Sequence, residues 1–98
     1  MTRIWTAEEF EPLAGTAFLV PFDNGIEVEI TLTEVRRLGP QEGPWREPFA
    51  LQFRAPGPWA IRQGTYRLFH PTLGEIELFL TAGTPDARGA CEYSAVFS

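Results

Sequence analysis

The chain has 98 residues and a formal net charge of −5, from 13 acidic side chains against 8 basic ones, every one of them arginine. That length suits one domain spanning residues 1–98, able to remove roughly 65% of its extended-chain surface from water, so neither metal nor disulfide is needed for folding. The acidic balance argues against nucleic acid or an anionic membrane as partner, because phosphate contacts need an excess of cations.

The first predicted element is a short helix. Thr6 is an N-cap with Glu9 three residues on to close a capping box, and Trp5 before the cap can staple onto Phe10. Leu13 continues the apolar face and Gly15 ends the element. Ile4, Trp5, Phe10 and Leu13 should therefore plug one open end or edge of a sheet.

Strands are expected at about 17–22, 26–38, 49–55, 64–70, 75–81 and 90–97, from apolar residues alternating with polar ones. Between the first two, a three-residue loop of Asp23, Asn24 and Gly25 pairs Phe22 with Ile26, Val20 with Val28 and Phe18 with Ile30, whereas a two-residue Asn-Gly turn would misalign the faces. Along the second strand the apolar set Ile26, Val28, Ile30, Leu32 changes parity to Val35, which implies a bulge near Thr33 and Glu34.

Residues 64–80, GTYRLFHPTLGEIELFL, form the clearest hairpin. A three-residue loop of Thr72, Leu73 and Gly74 pairs Leu68 with Leu78 and Tyr66 with Leu80, while even loops would set Glu77 among apolar residues. Gly25 and Gly74 are both expected at positive φ, which glycine enters without a Cβ clash. Six short antiparallel strands, one of them bent, with a covering helix suggest a mainly β fold, a small barrel or sandwich. A roll with the helix on one open face is the alternative.

Few residues suggest chemistry. His70, the single histidine, lies on the inward face with no carboxylate beside it, so a structural role with its ring bonded to turn backbone is favoured over general base. A metal centre from His70 and the lone Cys91 has no recognisable spacing, and no cofactor motif is present. Cys91 excludes an intrachain disulfide, and with neither signal peptide nor long apolar run the expected site of synthesis is the cytoplasm. The pairs Glu27 with Glu29 and Glu75 with Glu77 alternate with core residues and read as solvated charge that discourages edge aggregation.

Two Gly- and Pro-rich loops carry Trp45 with Arg46, and Trp59. In an up-and-down path they leave opposite ends of the third strand, which argues against one clamp and favours packing over the barrel ends. Phe69 and Phe79 lie opposite Leu68 and Leu78, with Arg67 placed across from Phe79 for a cation–π contact. That outer face is covered either by the helix or a loop, or by another chain.

The run GTYRLFHPTLGEIELFL, with EPFALQFRAP before it, a terminal EYSAVFS and the opening TAEEFEPLAGTAFLV, resembles a family of small bacterial proteins catalogued only as a domain of unknown function. The resemblance spans nearly the whole chain and supplies no catalytic residues. It implies genes near phage-tail-like or tail-collar fibre genes, hence an accessory or assembly role. The favoured expectation is a non-catalytic β-domain acting by protein contact, self-associating or docking onto a tail-like or fibre-like partner through Phe69, Phe79 and Arg67, with the 39–48 loop as a second contact. The alternative is a small-ligand or carbohydrate module using Trp45, Arg46 or Trp59; an enzyme is the least favoured reading.

Overall fold

The computed structural model describes residues 5–22, 25–39, 48–55 and 62–97. The helix α1 (Ala7–Phe10) runs into a 3-10 turn, Glu11–Leu13, and is followed by strands β1 (Ala17–Pro21), β2 (Glu27–Arg37), β3 (Phe49–Ala55), β4 (Gly64–His70), β5 (Gly74–Ala82) and β6 (Cys91–Phe97). They close into an antiparallel barrel in the order β1-β2-β3-β6-β5-β4.

This is the small antiparallel barrel with a short N-terminal helix expected from the sequence, although its strand order is not the up-and-down path assumed in placing the Trp45 and Trp59 loops. Two three-stranded meanders, β1 to β3 and β4 to β6, are set side by side, so β3 neighbours β2 and β6, and β4 returns to β1. Closure removes free sheet edges only where the seams are actually paired. Here, among the described residues, β1 pairs with β4 only at Leu19↔Phe69, and β5 with β6 only at Thr81↔Ser94 and Ala82↔Tyr93. The other seams are paired nearly end to end.

The interior follows from strand alternation. Phe18, Val20, Ile30, Leu32, Leu51, Phe53, Leu68, Leu78, Leu80 and Tyr93 point inward and are buried. Phe18 meets Phe53 edge-on, with ring centroids 5.4 Å apart. The bulge expected in the second strand is present: pairing with β3 shifts between Leu32 and Glu34, and the Thr33 hydroxyl, left out of the ladder, donates to the Gln52 carbonyl at 3.1 Å.

The helix plugs one barrel end as its sequence indicates. The Glu9 carboxylate accepts from the Thr6 N–H and hydroxyl, each at 3.3 Å, and Trp5 packs on Phe10 at 5.5 Å. Phe10 in turn contacts Phe49 and Phe97. Arg37 at the end of β2 ties the plug down, bridging Glu11 at 2.9 Å and Glu8 at 3.3 Å. Ile4 falls outside the described residues.

The first hairpin has the expected register, Phe18↔Ile30 and Val20↔Val28, with Phe22 N–H donating to Ile26 O at 2.8 Å and Gly25 at φ +83°. The second differs. Its pairs are His70↔Gly74, Leu68↔Ile76, Tyr66↔Leu78 and Gly64↔Leu80, so its loop is Pro71, Thr72 and Leu73 rather than 72–74. Gly74 does have positive φ, +77°, but as the first residue of β5 rather than the last of the loop.

The cause is Pro71. A 72–74 loop would set Pro71 opposite Glu75 in the ladder, where it has no N–H to donate, whereas proline suits the second position of a tight turn. The shift moves each pairing by two residues, so the inward and outward faces survive and the neighbours change.

Candidate contact surface

The outward side chains of β5 are Glu75, Glu77, Phe79 and Thr81, and those of β4 are Thr65, Arg67 and Phe69. With the observed register Arg67 stands opposite Glu77 and Thr65 opposite Phe79, which removes the expected Arg67–Phe79 pairing. The Arg67 guanidinium instead reaches Glu75 at 4.0 Å, an exposed pair of small energetic weight.

Phe69 and Phe79 both remain exposed, at 45% and 55%. The helix does not cover them; it sits on the barrel end. Nor do they form one patch, because Phe69 pairs with Glu75, four residues or roughly 13 Å along β5 from Phe79 at about 3.3 Å per residue. Each marks one of the thin seams: Phe69 is the residue bridging to Leu19 of β1, and Phe79 borders β6.

At the second seam the barrel opens. Continuing the Thr81↔Ser94 register would pair Phe79 with Val96 and Leu78 with Phe97, yet no such pairs form. The Phe97 ring stacks on Phe49 with centroids 4.5 Å apart and planes 6° from parallel, and lies 5.8 Å from Phe10. That cluster, together with the complete β3–β6 ladder, holds the end of β6 toward the plug and away from β5. The result is a cleft of about 240 Å³ lined by Glu77, Leu78, Phe79, Thr81, Ala95, Val96 and Phe97.

Val96, at 64% exposure, is the apolar wall that sequence reasoning missed. The alternation of CEYSAVF already placed it outward with Glu92 and Ser94. What the alternation lacked was the strand order that brings β6 beside β5.

His70 is 4% exposed and fully engaged. The Thr72 N–H donates to Nδ1 at 3.0 Å, and Nε2 lies 3.0 Å from the Thr16 hydroxyl, which itself donates to the Leu13 carbonyl. Since the hydroxyl proton is spent on Leu13, the tautomer assigned by this network carries its proton on Nε2. The ring also packs 4.6 Å from Phe18. It fastens the β4–β5 turn to the segment entering β1.

Asp86 and Cys91 are likewise tied into the local backbone. In the β5–β6 connector Asp86 accepts from the Arg88 and Ala90 N–H groups and from Arg54 at 2.8 Å, and these bonds, the Arg88 N–H foremost, hold its carboxyl below the usual range. The buried Cys91 thiol donates to the Gly83 carbonyl at 3.2 Å. Among the described residues no group of three or more His, Cys, Asp or Glu side chains could hold a metal ion, and no helix is long and apolar enough to cross a membrane. Trp45, Arg46, Trp59 and most of the 39–48 loop lie outside the described residues.

A family model described as Domain of unknown function (DUF6916) matches residues 5–97. The chain belongs to this family. No curated protein and no solved structure matches it. The match covers the plug, all six strands and both thin seams, so the cleft lies within the DUF6916 domain itself.

Proposed function

We propose that this DUF6916 domain is a non-catalytic assembly module that works by protein contact through the outer face of its β4–β5 hairpin, as an accessory of a tail-like or fibre-like assembly. The observation that carries the reading is the open β5–β6 seam, where Phe79 and Val96 face solvent across a cleft on the outside of the barrel wall. Large exposed apolar residues flanking unpaired strand are a recurrent mark of association surfaces. The tail or fibre context comes from the family resemblance of the sequence and from nothing in the geometry.

The test is site-specific photo-crosslinking in the cell that makes the protein, with a benzophenone amino acid at position 79 or 96 and a control at the exposed Thr84. The expected result is one discrete adduct, with another protein or with a second copy, obtained from 79 and 96 and absent from 84. Indistinguishable adducts at all three positions would sink the reading.

A further inference from the structure

Resting on that reading, the nature of the cleft identifies the class of partner. Three properties of the β5–β6 seam bear on what it can hold. Its walls are strand backbone: from Gly74 to Leu80 β5 is laddered to β4 on one side, while on the other its pairing with β6 stops at Thr81. Backbone N–H and C=O groups along such an edge are best satisfied by another extended backbone. Its volume, about 240 Å³, falls below the roughly 300–1,000 Å³ of sites that enclose small molecules, and it is partly open to solvent.

Its charge is one-sided. Glu77 is the sole ionised residue among those lining the cleft, and it makes no ion pair with any described residue although Arg67 lies opposite it across the hairpin. Phe79 and Val96 stand beside it as apolar walls. Neighbouring outward positions on one strand are two residues apart, so an occupant would present a cation and an apolar side chain in alternation.

We infer that the β5–β6 cleft receives an extended peptide strand, added to the free edge of β5, with an arginine or lysine meeting Glu77 and an apolar side chain two residues away filling the gap between Phe79 and Val96. A second copy of the chain fits less well. Its own β5 edge carries Glu75 and Glu77 and brings no cation to Glu77.

The experiment uses the full chain, 15N-labelled, with the blocked heptapeptide Thr-Val-Thr-Arg-Thr-Val-Thr, whose outward set fits either strand direction, and its Glu-centred counterpart. In the free protein, edge amides between residues 75 and 79 exchange rapidly at all protein concentrations. The arginine peptide slows that exchange and shifts amides of 75–79 and 95–97, binding about fivefold tighter than the glutamate peptide, and Glu77→Arg reverses the preference.

Three results would overturn the inference. The edge amides could already be protected in dilute free protein, meaning that the Phe79↔Val96 register closes; protection could rise with protein concentration alone, meaning a second copy occupies the cleft; or neither peptide could perturb these amides. If the crosslink from position 79 still finds its partner in any of these cases, the contact reading stands and strand addition fails. If that crosslink is absent, the contact reading itself fails.

Discussion

The four-stranded sheet β1-β2-β3-β6 and the β4–β5 hairpin are built from similar sequence, alternating apolar and polar residues, yet they are attached very differently. Within the sheet every neighbouring pair of strands is laddered along most of its length. The hairpin is just as well laddered to itself but joins the sheet through Leu19↔Phe69 on one flank and Thr81↔Ser94 with Ala82↔Tyr93 on the other. Hydrogen bonds therefore hold the sheet together, whereas side chains hold the hairpin to it. Leu68, Ile76, Leu78 and Leu80 are buried against the sheet, and at about 1.5–3 kcal/mol per side chain they contribute of order 6–12 kcal/mol. That approaches the whole stability of a small domain, so the hairpin cannot swing away without global unfolding. Only its seams can open locally, and function is expected there.

The largest effects should come from the shared core. Phe53→Ala, on β3, an inner strand of the sheet, removes a buried ring packed on Phe18 and should destabilise by about 3–5 kcal/mol, read by urea unfolding at unchanged m-value. Leu68→Ala, from the hairpin, should fall in a similar range, about 2–5 kcal/mol. A loss below about 1 kcal/mol for Leu68→Ala would break the comparison, since it would mean the hairpin is not seated in the core.

Next is the His70 fastening. Thr16→Val keeps the shape of the side chain but removes the hydroxyl between Nε2 and the Leu13 carbonyl, and should cost about 1–3 kcal/mol. Nitrogen chemical shifts of the ring should report the Nε2–H tautomer in the parent protein. Amide exchange should accelerate chiefly around residues 69–74 and 16–19 in the variant, which separates loss of the fastening from uniform destabilisation. Gly74→Ala comes below it. A Cβ there meets nothing within 4 Å, so the penalty is backbone strain at φ +77° alone, about 1 kcal/mol, and Gly25→Ala at φ +83° should match it.

The β1–β2 turn and the β4–β5 turn also show what was legible in the sequence. For both, the sequence criterion is a loop that keeps apolar residues on one face. For Phe22 and Ile26 that was sufficient, because both flanking residues can take part in pairing. For the second turn the face rule fixes only the parity of the register, and two solutions of equal parity remain. The proline that separates them was visible at position 71 but carries its information in a missing donor, not in hydrophobicity. The bulge at Thr33 was legible for the opposite reason, since it changes parity directly. The open seam was not legible, because it depends on which strand lies beside β5 and on Phe97 being drawn into the cluster with Phe10 and Phe49. Neither is a property of β5's own residues.

A smaller effect tests the connector that returns the hairpin to the sheet. Asp86 ionises below its ordinary value of 3.8, mainly through the Arg88 N–H and then through Arg54. A carboxylate with a depressed folded pKa contributes stability that is present above its unfolded pKa and is lost as pH falls through the folded one. Asp86→Asn should therefore be less stable than the parent at neutral pH, with the difference shrinking below about pH 4. Thermal unfolding from pH 7 to pH 2.5 measures it, and a difference that stays constant with pH would show that the Asp86 charge is not what ties the connector to β3.

The smallest expected effect on stability is the one that bears most on function. Phe79→Ser removes the same ring as a core phenylalanine substitution does, from the outer instead of the inner face of the barrel wall, and should change stability by no more than about 0.5 kcal/mol. The contrast with Phe53→Ala is then a factor of several for one chemical group, set entirely by which side of a strand it occupies. If Phe79→Ser instead costs about 2 kcal/mol or more, the ring is packed in solution, and the natural packing partner is Val96 across a closed seam. The double substitution with Val96→Ser distinguishes the cases. Additive and near-neutral changes leave both residues facing solvent, free for a partner, whereas a coupling of about 1 kcal/mol between them would mean that the barrel completes itself and that Phe79 needs no partner to explain it.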